Sequence, residues 1–182
     1  MMTARDNGRG GAQGALRVLG VDPGLRVSGY AVIESAGGEV RVLDAGTIAA
    51  AVTGSLADRL AEIAAEAEAL LAEYEPALMA VEELYAHYKH PRTAILMGHA
   101  RGVFLAAAAR RGVAVRGYAA TRVKKSLTGN GRASKAQMQR AIQQRLGLKR
   151  LPEPADVADA LAIAMCCVNE MQNSKCKIQN HN

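Results

Sequence analysis

From Leu16 onward the apolar positions first come in short runs. Leu16-Arg17-Val18-Leu19-Gly20-Val21-Asp22 ends in Asp-Pro-Gly, which reads as a strand closed by a turn. Ser28–Ile33 predicts a second strand and Glu39–Ile48 a third, with Val40, Val42 and Leu43 loosely alternating. Three strands on short links predict an antiparallel meander. From Ser55 the period lengthens: Leu56, Leu60, Ile63, Ala67 and Leu70 share one face of a helix reaching Tyr74. Ala77–Glu82 reads as a buried strand that ends in a carboxylate, followed by a helix over Thr93–Arg111 and a strand over Val113–Tyr118. Further helices are predicted over Ala120–Leu127, Ser134–Leu146 and Ala155–Glu170. A meander that passes into alternating helix and strand predicts an α/β fold, a five-stranded mixed sheet flanked by helices on both faces.

Composition narrows this to one domain. The chain has 182 residues, 49% of them hydrophobic but only 3% aromatic, so the core must be built from Ala, Val, Leu and Ile. The pattern predicts three stretches: a Gly-rich disordered leader over 1–15, a folded domain over 16–170, and a polar, frayed tail over 171–182. The leader has no hydrophobic segment of the kind that directs secretion, and no apolar run reaches the ~20 residues that span a bilayer. Cys166, Cys167 and Cys176 are odd in number and clustered late in the chain, which suits reduced thiols and a cytoplasmic location. A net charge of +6 is compatible with a polyanionic partner and equally with a merely basic surface.

Four acids stand out by position. Asp22 ends the first strand and Glu82 the fourth; where such strands are parallel neighbours, their C-terminal ends open on one side, where α/β sites form. Asp156 and Asp159, spaced i, i+3 at the start of the last helix, share a face. Each has a plain structural reading: a turn residue before Pro23, a strand-end surface acid, and two acids favoured at a helix start. Taken together they have the chemistry of a cradle for divalent cations, because Mg²⁺ prefers oxygen ligands and leaves positions for water and phosphate. Two such ions can assist both ends of a phosphodiester cleavage.

Three segments carry a family resemblance. Val18-Leu19-Gly20-Val21-Asp22-Pro23-Gly24 with Gly29-Tyr30 resembles the first motif of the RuvC-type Holliday junction resolvases. Ala80-Val81-Glu82-Glu83 resembles their second, and Ala155-Asp156-Val157-Ala158-Asp159 with the alanine-rich run after it resembles their last. The resemblance, in order and spacing, covers Arg17 to Val168. It implies an RNase H-like fold and Asp22, Glu82, Asp156 and Asp159 as catalytic, metal-binding acids holding two Mg²⁺ ions, with Mn²⁺ able to substitute. It also implies a homodimer that makes paired, symmetric nicks in four-way DNA junctions during recombination and repair, and a RuvA–RuvB branch-migration complex as a partner.

Arg122, Lys124, Lys125, Arg132 and Lys135 frame the Gly-containing link Thr128-Gly129-Asn130-Gly131. Cations around a close-approach loop suit phosphate contact, though the same residues also read as a solvated basic surface. The resemblance implies DNA binding by Lys124 and Lys135, and stacking of Tyr85 on an unpaired base. His87 and His90 read as loop residues beside DNA, with metal ligation the alternative. Gly98-His99-Ala100-Arg101-Gly102 places small residues four apart, which permits close helix approach within the chain or, as the resemblance implies, across a dimer. Three other readings remain open at this level. They are an RNase H-like nuclease acting on structured RNA, a junction-binding protein without catalysis, and an actin-like phosphotransferase prompted by the Asp-Pro-Gly turn.

Overall fold

The computed structural model describes residues 15–50, 53–84 and 91–179. Its strands are β1 (Leu16–Asp22), β2 (Val27–Ala36), β3 (Glu39–Ala49), β4 (Leu78–Glu82) and β5 (Ala114–Tyr118). Its helices are α1 (Leu56–Tyr74), α2 (Pro91–Arg110), α3 (Ala120–Thr128), α4 (Lys135–Arg145) and α5 (Ala155–Gln179). The strands form one mixed sheet in the order β3-β2-β1-β4-β5. β1, β2 and β3 make the antiparallel meander, and β4 and β5 join it in parallel with β1. The tight β2–β3 turn is made by Gly37 and Gly38, both at positive φ (59° and 90°), the backbone that a two-residue hairpin matched to strand twist requires.

The period of two along the strands sorts the core into two layers. Leu19, Val21, Val32, Met79 and Val81 face α1 and α2, where Ile63, Ala67, Ala100 and Phe104 complete a fully buried cluster. Val18, Ala31, Ile33, Leu78 and Ala80 face α5, whose Ala160, Leu161 and Ala164 are buried against them. Phe104 is the one phenylalanine of the chain, so the rest of the packing is aliphatic, as composition requires. Ser55 and Ser134 each start a helix with a reciprocal capping box, to Asp58 before α1 and to Gln137 before α4.

Two boundaries differ from the sequence reading by more than two residues. β2 continues past Ile33 through Glu34, which looked like a strand end but is satisfied by Arg17 (2.9 Å) and Arg41 (2.7 Å) on the neighbouring strands. α5 runs on to Gln179, beyond the expected end at Glu170. Its later residues are polar and exposed as far as Ser174, so no apolar stripe announced the extra turns. The leader over 1–14 lies outside the described residues.

Candidate active site

The parallel register pairs Val21 with Val81, and the next residues on the two strands are Asp22 and Glu82. Adjacent strands lie about 4.8 Å apart, and both carboxylates follow residues buried on the opposite face, so both point towards α5. Asp22 and Glu82 are hydrogen-bonded to each other through their side chains.

Two glycines let α5 lie low enough to bring its acids to this point. A Cβ on Gly20 of β1 would collide with the backbone carbonyl of Ala160 and sit 2.7 Å from the Ala164 methyl. A Cβ on Gly29, the β2 partner of Asp22, would collide with the backbone of Asp156 itself. The first turns of α5 therefore rest directly on the sheet backbone beside Asp22, with Asp156 and Asp159 on the facing side. Glycine inside a strand weakens it unless another backbone needs the space, and here one does at both positions.

The electrostatics follow from this crowding. Burial pushes the Asp22 carboxyl up from 3.8 to about 8, reinforced by its hydrogen bond to Glu82 and then by the charges of Glu82, Asp159 and Asp156. Glu82 is also raised by burial, but its hydrogen bond with Asp22 and the nearby Lys124 and Lys135 pull the other way. Asp22, the carboxyl that burial pushes up furthest, is thus the donor in the hydrogen bond, while the two lysines favour the charged form of Glu82. Asp159 is raised by burial, opposed by Lys135 and Lys124. Among the described residues, no three acidic, histidine or cysteine side chains already converge as a ready-made ion cage. Asp22 and Glu82 are in hydrogen-bond contact, and Asp156 and Asp159 act on Asp22 through space. An all-oxygen, acid-rich set of this kind fits a hard divalent cation.

Beside the acids, Glu82, Asp159, Lys124, Lys135, Val123 and Met138 line a cleft of about 190 Å³. Lys124 comes from α3 and Lys135 from the first turn of α4, so the Gly-containing link between these helices brings both lysines to the carboxylates. Arg132 is exposed on that link. Arg122 and Lys125 instead line a separate groove along α5. There Arg122 pairs with Glu170 at 3.0 Å and lies 5.3 Å from the centre of the Tyr118 ring. Tyr85, His87 and His90 lie outside the described residues. The sequence reading missed Gly20 and Gly29 as packing devices, although glycines inside two strands were a visible signal. It also missed Arg101, whose Nε donates to the Glu82 carbonyl at 3.0 Å and ties α2 to the end of β4.

Comparison with known proteins adds a family to this geometry. The family model for crossover junction endodeoxyribonuclease RuvC matches residues 18–167. A crossover junction endodeoxyribonuclease RuvC from Rhodopirellula baltica is 52% identical over 149 residues, covering 82% of this chain and 84% of that one. The one from Heliobacterium modesticaldum is 42% identical over 154 residues, covering 85% and 94%. Among solved structures, Thermus thermophilus RuvC in complex with a Holliday junction substrate superposes with a TM-score of 0.83 at 32% identity, covering 87% of this chain and 96% of that one. The sheet order and flanking helices are those of an RNase H-like fold, and by matched length and identity the chain belongs to the crossover junction endodeoxyribonuclease RuvC family.

Proposed function

We propose that this chain is a metal-dependent endonuclease that resolves four-way DNA junctions, with Asp22, Glu82, Asp156 and Asp159 as its catalytic, metal-holding acids. The observation that carries the reading is the Asp22–Glu82 pair at the C-terminal ends of two neighbouring parallel strands, within the field of Asp156 and Asp159, with Glu82 and Asp159 sharing a cleft with Lys124 and Lys135. Two Mg²⁺ ions held there, or Mn²⁺ in their place, would supply Lewis-acid stabilisation of the attacking and leaving oxygens.

The chain's own residues prepare that chemistry. Asp22, Glu82, Asp156 and Asp159 would hold the cations as carboxylates, and a cation there would favour the charged forms that burial now disfavours at Asp22 and Glu82. Lys124 and Lys135 enter the same cleft and offset the charge of the phosphate that must sit beside the carboxylates. Lys135, in the first turn of α4, is held by a helix whose start is fixed by the Ser134–Gln137 capping box. Arg132 on the adjoining link, Tyr85 after β4, and Arg122 and Lys125 on the flank extend the DNA contact in this reading.

The nuclease domain spans 16–170, with the polar residues after 170 continuing α5. Dimer formation through α2 is supported by Ile95, an apolar side chain 61% exposed on that helix, and by the open space beside Gly102. A homodimer places two acid clusters on one junction and gives paired, symmetric nicks. A RuvA–RuvB branch-migration complex is the expected partner, and the cytoplasm the expected location. No helix among the described residues is long and apolar enough to cross a membrane, and Cys166 and Cys167 are free and buried. The family relationship favours junction DNA over structured RNA, and the presence of all four acids favours a nuclease over a non-catalytic binder. The test is cleavage of a synthetic four-way junction with Mg²⁺, Mn²⁺ or Ca²⁺, scored for paired nicks at symmetric positions. Binding without metal-dependent nicking sinks the catalytic assignment.

A further inference from the structure

On the opposite side of the β1–β2 turn from α5 lies a second, larger cleft of about 720 Å³. Arg26 of the turn, Arg59 of α1 and Arg92 of α2 line it over an apolar floor that includes Leu25 and Leu96, and no acidic side chain among the described residues lines it. Arg26 and Arg92 are exposed, and no ion pair among the described residues neutralises any of the three. Arg59 is more deeply set: its Nη2 donates to the Leu25 carbonyl at 2.9 Å, while its Nε is buried without an acceptor. A buried donor left unpaired is costly, and an oxygen seated against this guanidinium would supply the missing partner. Three guanidinium groups in one concavity, with a donor in want of an acceptor, have the chemistry of an oxyanion site.

Its position names the anion. Gly24, in the lining of this cleft, is two residues from Asp22, which places their Cα atoms within ~7 Å. The turn between them is rigid, because the Ser28 hydroxyl accepts from the Gly24 amide (3.0 Å) and donates to its carbonyl (2.7 Å). A strand whose phosphate faces the acids has its neighbouring phosphates within reach of this turn. We propose that the cleft formed by Arg26, Arg59 and Arg92 is a second phosphate site, which grips a backbone phosphate of the bound DNA strand flanking the one presented to the acids. This rests on the junction-nuclease reading and adds to it a register device: the distance between the two sites fixes which phosphodiester reaches the acids.

The test measures junction binding by fluorescence anisotropy in chelator over a series of salt concentrations. It compares the full chain with the Arg26→Gln/Arg92→Gln double variant, whose exposed positions spare the fold, and with Arg111→Gln as a control at the far end of α2. The double variant is expected to bind roughly tenfold more weakly, with the log–log salt slope reduced by about 1; the control is expected to match wild type. A neutral methylphosphonate walked along the strand beside the cut should weaken wild-type binding at one flanking position and have no further effect there in the double variant. Unchanged slope and affinity, or equal sensitivity of both proteins at every position, overturns the proposal while leaving junction binding intact. Wild-type protein that neither binds nor cuts the junction overturns the underlying reading instead. Arg59→Gln, which also removes the tie to Leu25, is read by the same slope and only where its thermal unfolding remains cooperative.

Discussion

Replacing Asp22 by Asn should make the metal-free protein more stable while abolishing cleavage, and the size of the gain follows from the site. Asp22 ionises near 3.8 when free and is pushed up to about 8 in the fold. At pH 7 the folded chain must therefore take up a proton that the unfolded chain has released. At 1.36 kcal/mol per pH unit over about three units, that costs at most ~4 kcal/mol. Asparagine carries no such cost, and its amide can still donate to Glu82. The sign is fixed: a carboxyl raised in the fold is free of penalty below its unfolded value near 4. Its penalty then grows as pH rises and levels off above about 8. The stability gap between Asp22→Asn and wild type should thus be near zero at pH 4, ~2 kcal/mol at pH 5 and ~4 kcal/mol at pH 7.

Thermal unfolding in chelator, followed by circular dichroism from pH 4.5 to 8.5, reads this directly. For a chain of this size the pH 7 gap corresponds to a rise in Tm on the order of 10 °C. Added Mg²⁺ should raise the wild-type Tm and raise that of the variant far less, because the variant lacks one of the oxygens that bind the ion in the fold. The variant should still bind a four-way junction and leave it uncut. A variant equal to or less stable than wild type, or a gap that does not widen with pH, refutes the claim that the acids are held together against their own repulsion.

Gly29→Ala forces a methyl into the Asp156 backbone and should cost ~1–3 kcal/mol by overpacking. Metal-dependent cleavage should fall by more than the lost stability explains, a difference that unfolding and nicking assays on the same preparation will show. Lys135→Ala should reduce the cleavage rate on the order of a hundredfold with a much smaller loss of junction affinity. Single-turnover cleavage and anisotropy check this, and equal losses in both would assign the lysine to binding alone. Arg17 and Arg41 hold the Glu34 carboxyl below its usual range, so its contribution is present above the ordinary glutamate range and lost as pH falls through its lowered value. Glu34→Gln should therefore lower Tm at neutral pH and flatten the acid side of the stability profile, as a pH series of melts will report.

The strands and helices were legible because each buries one face, and the repeat of apolar residues reports that face directly. Leu60, Ile63, Ala67 and Leu70 announced α1, although Leu56 at its start stays 38% exposed, and the short run ending at Asp22 announced β1. Glu34 hid the full length of β2, since an acid within a strand looks like its end until Arg17 and Arg41 are found on the neighbouring strands. The polar turns of α5 after Met171 hid for the converse reason: they bury too little apolar surface to leave a pattern. Arg122 was legible as a cation near a glycine link, but the sequence carries no sign of such a residue's partners. Its ion pair with Glu170 joins residues far apart along the chain, and only the packing of α3 on α5 makes it visible.

The acids were legible for a different reason from the elements that carry them. A carboxylate at the end of a buried strand is costly unless something balances it, so Asp22 and Glu82 were conspicuous as soon as β1 and β4 were recognised. What the sequence could not supply was the depth at which α5 lies. That depth is set by the absence of side chains at Gly20 and Gly29, and it alone decides whether Asp156 and Asp159 meet Asp22 or face solvent. The same glycines that weaken two strands therefore create the electrostatic strain at Asp22. In the proposed reading, stability given up in the metal-free fold is what cations bound at these acids would recover, which makes the two glycines and the raised Asp22 carboxyl parts of one device.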